Sequence, residues 1–314
     1  IQSRGLGDVY KRQVELRNEK KREIIMSLSE LYPIQLLCSS LGISRSSYYY
    51  QPQQRDEVAL KEELKKIAGE FVKYGSRRLS EQLKRSGYPV GRERVRRLMR
   101  ELNIEIKPSK KPKPKTTDSD HTHSGVQNLV QGLEIIRPEQ VWVADITYIH
   151  LLTEVVYLAV VMDVFTRIIR GWHLSRNIDH ELTLAALNKA LSSGKFPNIH
   201  HSDQGRQYFA EAYLKRLKRF EVQISFADKG QPTQNAYAER VIRTIKDEEI
   251  YLNEYQDFDN AYQQIGKFID DVYAKKRIHS SIGYLTPVEF EQQWINENQN
   301  GIFSTKNSEI CVQI

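Results

Sequence analysis

A chain of 314 residues with 39% apolar residues has room for two or three domains and a substantial core, and no apolar run is long enough to span a bilayer. Its two cysteines, Cys38 and Cys311, exclude a disulfide framework or a cysteine-rich zinc site and fit a reducing cytoplasm. The net charge of +7 is uneven: residues 61–115 carry 18 Lys/Arg against 7 Asp/Glu, which favours a polyanion-binding module joined to a mildly acidic remainder over a merely solvated helical surface.

The chain opens without a signal-peptide pattern. Asp8-Val-Tyr-Lys-Arg-Gln13 resembles the translation of a sequencing-adapter transposon end, so residues 1–13 are expected to be non-native. Ile24, Ile25, Leu28 and Leu31 recur at helical spacing until Pro33. A short helix, Gly42 and a second helix capped by Ser44 follow, the pattern of a helix-turn-helix or of a plain helical hairpin. In the first case Arg45, Ser46 and Ser47 are the exposed candidates for DNA. This segment is assigned residues 14–52.

Residues 53–106 form a second helical module, winged-helix-like or helix-turn-helix-like. Helices are expected over 58–72, over Arg77–Arg85 with Ser76 as the N-cap, and over Arg92–Leu102. The stripe Val95, Leu98, Met99 and Leu102 leaves Arg92, Arg96, Arg97 and Arg100 to meet phosphates, joined by Arg77 and Arg78. Residues 107–137 read as a basic Pro/Lys-rich linker, and His121 and His123 within it as loop histidines rather than metal ligands.

After Pro138 the period changes. Val141–Ile149, Val155–Met162 and Arg167–Leu174 are β-rich and closely connected, which predicts an antiparallel meander. A helix over Asp179–Leu191, a strand over Phe196–Ser202, a helix over Gln207–Phe220 and a strand over Val222–Phe226 complete the pattern. The expected fold class is α/β, a mixed five-stranded sheet with flanking helices over residues 138–255, preceded by all-α helix-turn-helix modules. Residues 256–300 are a helical extension and 301–314 a tail.

Three carboxylates stand out. Asp145 interrupts an apolar strand, with Val143 and Thr147 on its own face, and a desolvated carboxylate needs a cation or hydrogen bonds. Asp203 follows a strand, at the edge where α/β sites open. Glu239 lies on a helix whose apolar stripe is Tyr237, Val241, Ile245 and Leu252; Asn235, Glu239, Arg243 and Lys246 form the opposite stripe. Lys246 lies about 20° from Glu239 around the axis. For one helix in isolation such a stripe usually meets only water. Together, carboxylates from separate elements can hold two divalent ions for phosphoryl transfer, with Lys246 and Arg243 gripping phosphates.

Trp142-Val-Ala-Asp145-Ile-Thr-Tyr148, His201-Ser-Asp203-Gln-Gly-Arg-Gln-Tyr208 and Asn235-Ala-Tyr-Ala-Glu239, with 35 residues between the second and third acids and a basic Lys246, resemble the catalytic core of the retroviral-integrase superfamily. The nearest likeness is to transposases of IS3-group insertion sequences, the product of the second reading frame. His279-Ser-Ser-Ile-Gly-Tyr-Leu-Thr-Pro-Val-Glu-Phe290 fits that group too, and the resemblance covers roughly residues 20–295. It implies an RNase H-like fold, with Asp145, Asp203 and Glu239 as both catalytic and metal-binding residues for two Mg²⁺ or Mn²⁺ ions. It implies nicking of an element's ends and strand transfer by the freed 3′-hydroxyl. The expected partners are terminal inverted repeats, target DNA, further copies on paired ends, and the first-frame product or a frameshift fusion with it; nucleoid association follows. Two departures are the missing His/Cys zinc pattern of retroviral integrases and Ala144 where the group has Thr. The alternatives are a non-catalytic DNA-binding regulator, against which the intact acid triad argues, and a metal nuclease on RNA or DNA junctions. Asp163 reads as a turn residue, Glu248 and Glu249 as pointing away from Glu239, and His201 as either a support for the site or a structural histidine.

Overall fold

The computed structural model describes residues 18–50, 57–106 and 127–299. Residues 1–13, the break at Gln51–Gln54, His121, His123 and the 301–314 tail lie outside the described residues. The chain divides into two compact units at Glu57/Val58.

The first unit contains α1 (Asn18–Leu28), α2 (Ile34–Ser40) and α3 (Arg45–Tyr49). Ile25, Leu37, Cys38 and Ile43 form its small core. Gly42 takes φ +59° between α2 and α3, a conformation that strains residues bearing a Cβ. Ser44 caps α3 as expected, accepting from the Ser47 amide at 3.0 Å. Arg45 and Ser46 are exposed, but Ser47 is half-buried and its carbonyl accepts from Arg22, so it does not present the free polar surface its position promised. Helix α1 stops at Leu28, leaving Leu31 74% exposed.

The second unit begins with α4 (Val58–Glu70), α5 (Ser76–Arg85) and α6 (Arg92–Glu101). Gly75, not Ser76, is the N-cap of α5, and no side chain caps it. Leu64, Leu79, Leu83, Val95 and Leu98 are fully buried where the three apolar stripes meet, and Ile278 from far along the chain completes this core.

The sheet comprises β1 (Val141–His150), β2 (Val155–Asp163), β3 (Ile169–Ser175), β4 (Ile199–Ser202) and β5 (Gln223–Phe226), in the order β3-β2-β1-β4-β5. The first three strands are an antiparallel meander; β4 and β5 then add in parallel to β1. This is the expected RNase H-like mixed sheet. Alternation along β1 feeds two cores. Trp142 and Ala144 pack with α7 (His180–Leu191) and α8 (Glu211–Lys218). Val141 and Val143 pack with α9 (Ala236–Ile245) and α10 (Phe258–Lys267). Gly171 lets α7 approach closely: a Cβ there would lie 2.1 Å from the Ala186 carbonyl oxygen.

Several details differ from expectation. The helix predicted over Gln207–Phe220 is a 3₁₀ turn, Arg206–Phe209, then α8, because Ala210 is extended (ψ 133°) and redirects the chain. That break brings the buried Tyr208 and Tyr213 rings edge to face, 5.5 Å apart. Strand β4 begins only after Pro197, at Ile199, and Phe196 instead stacks on Phe220. On α9 the buried residues are Ala238, Val241, Ile242 and Ile245; Tyr237 is half-buried and Leu252 lies beyond the helix. Asp163 is the turn residue it resembled, accepting from the Thr166 amide and hydroxyl and from the Glu139 amide. The last helix, α11 (Pro287–Gln299), is tied to the sheet by Arg170, which pairs with both Glu139 and Glu291.

Candidate active site

Pairing register brings the first two acids together. The parallel ladder of β1 and β4 ends at Ala144↔Ser202, and the next residues along are Asp145 and Asp203. Adjacent strands lie about 4.8 Å apart. The Asp203 carboxylate accepts from the Gly205 amide at 3.0 Å, and a Cβ on Gly205 would crowd that same oxygen. The Asp145 carboxylate accepts from the Ile146 amide at 2.8 Å.

The third acid arrives on α9, which packs on β1 through Ala238, Val241 and Ile245 and leaves Glu239 and Arg243 exposed. Asn235, just before α9, departs from the expected polar stripe. It is 4% exposed and donates Nδ2 to the Ala144 carbonyl at 3.1 Å, one residue before Asp145. It therefore pins the start of the helix to the strand, and its position is unsuited to gripping DNA. The isolated-helix projection failed there because a 3₁₀ turn, Pro232–Asn235, precedes α9.

His201 stands behind this junction. Its Nε2 meets the Gln234 carbonyl at 3.1 Å and its Nδ1 the Ser225 hydroxyl at 2.8 Å. A carbonyl only accepts, so Nε2 carries the proton and Ser225 donates to Nδ1. Burial pushes the imidazole down to about 4, so it is neutral near pH 7. Of the two readings open for His201, the structural one describes these bonds: it holds the approach to α9. Glu248 and Glu249 point into packed surroundings, as expected; Glu248 pairs with Arg277, and Glu249 accepts from the Tyr255 hydroxyl.

The electrostatics converge on Asp145. Its pKa is raised to about 8, first by burial, then by Asp203 and, more weakly, Glu239; the Ile146 amide and Lys246 act in the opposite direction. Lys246 follows α9 at the start of a π-helical turn, Lys246–Ile250. It is half-buried, with Nζ 4.7 Å from the centre of the Tyr148 ring. Burial lowers its pKa while Asp145 raises it. Tyr148, 50% exposed and edge-to-face with His150, had no assigned role in sequence; its place in the motif beside Asp145 was the available signal. Among the described residues, no three His, Cys, Asp or Glu side chains are drawn into a closed metal-holding cluster. The donor set is nonetheless one that hard divalent cations prefer, and a cation there would offset both the burial and the neighbouring carboxylates that push the Asp145 pKa up.

The arginines sort by exposure. Arg77, Arg92, Arg96, Arg97 and Arg100 are exposed. Arg96 pairs with Glu93 and Arg97 with Glu101 along α6. Arg78 is the exception: it turns inward to Glu248 at 3.4 Å and lies over the Tyr74 ring. Its half-buried side chain is engaged within the fold, unlike the exposed arginines with which sequence grouped it as a DNA contact.

The mixed sheet with flanking helices is that of an integrase-type catalytic core, and the family matches support a polynucleotidyl transferase. Family models described as "Integrase core domain" match residues 136–232 and 220–287, and one described as "HTH-like domain" matches residues 54–112. The insertion element IS600 31 kDa protein of Shigella sonnei is 35% identical over 269 residues, covering 82% of this chain and 98% of that protein. The IS629 transposase of the same organism is 31% identical, covering 86% and 95%. Transposase InsF of IS3A from Escherichia coli (strain K12) is 29% identical, covering 83% and 95%. The chain belongs to the IS3-group insertion-sequence transposases, within the integrase superfamily. It thus serves insertion-sequence transposition by DNA recombination. Solved structures with similarity include the catalytic core of HTLV-2 integrase, in complex with magnesium (14% identity, TM-score 0.39, 49% of this chain and 97% of that one). Another is the BIV integrase core (17% identity, TM-score 0.39, 51% and 99%). Among the described residues, no helix is long and apolar enough to cross a membrane.

Proposed function

We propose that Asp145, Asp203 and Glu239 form the catalytic centre, hold two Mg²⁺ or Mn²⁺ ions, and carry out end nicking followed by strand transfer. The observation that carries this reading is the parallel register that sets Asp145 beside Asp203 at the ends of β1 and β4, with α9, packed on β1, bringing an exposed Glu239. When bound, paired divalent ions activate the attacking oxygen and neutralise charge on the leaving one. In nicking, water attacks a phosphodiester at the element's end, and the broken P–O3′ bond leaves a 3′-hydroxyl. In transfer, that hydroxyl attacks a phosphodiester of the target, joining the strands and releasing a target 3′-hydroxyl.

The chain's own groups position these reactants. Lys246 and Arg243, on the Glu239 side of α9, contact phosphates near the scissile bond. Asn235 keeps the helix on β1. Arg77, Arg92, Arg96, Arg97 and Arg100 follow the DNA backbone, and Arg45 adds a contact from the first unit. Work on paired ends requires more than one copy, with the first-frame product or a fusion to it as a further partner.

Replacing Glu239→Gln keeps the side-chain shape and removes a cation-binding charge. End cleavage and strand transfer should be abolished while DNA binding stays nearly intact. Cleavage at the wild-type rate by this variant would sink the triad assignment.

A further inference from the structure

The catalytic reading leaves the terminal motif around His279 without a task. The structure brings that stretch to the helical module formed by α4–α6. Ile278, fully buried, belongs to the module's core, and its amide donates to the Tyr74 hydroxyl at 2.8 Å. Arg277, 5% exposed, forks onto Glu248: Nε to Oε2 at 2.6 Å and Nη2 to Oε1 at 2.7 Å. Arg78 of α5 reaches the same Glu248 oxygen at 3.4 Å. Lys276 pairs with Glu70 at 3.0 Å, and Arg85 reaches both Glu289 and the Tyr284 carbonyl. His279 lies against the Arg277 guanidinium, and burial and that charge keep it neutral.

Glu248 is the hinge of this arrangement. It lies in the π-helical turn that begins at Lys246 and continues α9, which carries Glu239. A bidentate, buried carboxylate–guanidinium pair has a narrow geometry, and losing one partner strands a charge. The π-helical turn and the module are therefore joined through groups that tolerate little sliding.

We propose that Glu248, Arg277 and Arg78 form a clamp that fixes the distance between the DNA-gripping module and the Glu239–Lys246 face, so that it selects which phosphodiester is cut. Arg78 is a positioning residue of this clamp. The proposal rests on the end-nicking reading for its effect on the cut, but the clamp itself is testable without cleavage.

The test uses the full chain and a labelled duplex carrying the element's terminal repeat with its flanking DNA. Two variants break the clamp: Arg78→Ala, at a partly exposed position, and the double variant Glu248→Gln with Arg277→Met, which leaves no buried charge unpaired. Cuts should scatter over neighbouring phosphodiesters in both, and Arg78→Lys should restore a single position. The salt slope of DNA binding should be unchanged in Arg78→Ala, whereas Arg77→Ala should lower it by about one. Without DNA, amide hydrogen exchange in the double variant should lose protection at Ile278 and over residues 248–250 together. A single sharp cut in both variants, a slope lowered by about one in Arg78→Ala, or unchanged exchange protection would each overturn the clamp. An uncut duplex with the wild type would count against the nicking reading alone, and hydrogen exchange would still decide the clamp.

Discussion

Asp145 concentrates the electrostatics of the site in one side chain. Its folded pKa, about 8, lies above the ordinary 3.8, so the folded chain without cations favours the protonated acid. The stability this contributes is complete below about pH 4 and is lost as pH rises towards 8. Asp145→Asn has no such proton to lose, so between pH 4 and 8 its stability should fall less steeply than that of the wild type. Urea unfolding in chelator across that window measures the difference, and parallel curves would refute it. Part of this was legible in sequence: a lone acid in an apolar strand implies burial and a need for compensation. The proximity of Asp203 was implied by the motif resemblance and not by periodicity, and it is the parallel register of β4 against β1 that produces it. Asn235 shows the same limit in reverse. Its polarity placed it on an outward stripe, but a bond to Ala144, 91 residues away, holds it inside.

At the scale of elements, periodicity was a good guide wherever a helix has one wet and one dry face. Arg92, Arg96, Arg97 and Arg100 of α6 are exposed for that reason, with Val95, Leu98 and Met99 beneath them. Replacing Arg96 and Arg97 with Ala should weaken DNA binding and lower its salt slope by up to about two, one for each lost phosphate contact. Their pairs with Glu93 and Glu101 are exposed and worth little, so they should hinder binding only slightly. A salt titration that leaves the slope unchanged would remove α6 from the interface. Arg78 escaped the same logic. Helical spacing says which way it leaves α5, but not that Glu248, 170 residues on, waits there to receive it. The helix expected over Gln207–Phe220 is interrupted at the extended Ala210, and the interruption lets Tyr208 and Tyr213 both enter one core, a coincidence that helical spacing alone does not encode.

Across the whole molecule, the site depends on two helical layers clasping one sheet. Gly171 permits the closest approach on the α7 side. Gly171→Ala would drive a Cβ into backbone of α7 and should cost about 1–3 kcal/mol, or more if the layers cannot separate. Chemical denaturation would register the loss, and wild-type stability would show that the α7 layer can move away. On the opposite side, α9 packs its apolar face with Val143, and Glu248 in the turn that continues it reaches Arg78 of α5. The sequence by itself determined the order of elements, the five-stranded α/β class, the exposed arginines of α6 and the three candidate acids. Those follow from local periodicity, turn chemistry and motif spacing, which are written along the chain. Only the tertiary structure decided the strand register that sets Asp145 beside Asp203, that Asn235 faces inward and Arg78 pairs with Glu248, and that residues near His279 complete the module's core. These depend on strand register and on buried polar partners distant in sequence, where desolvation penalises any group left unpaired.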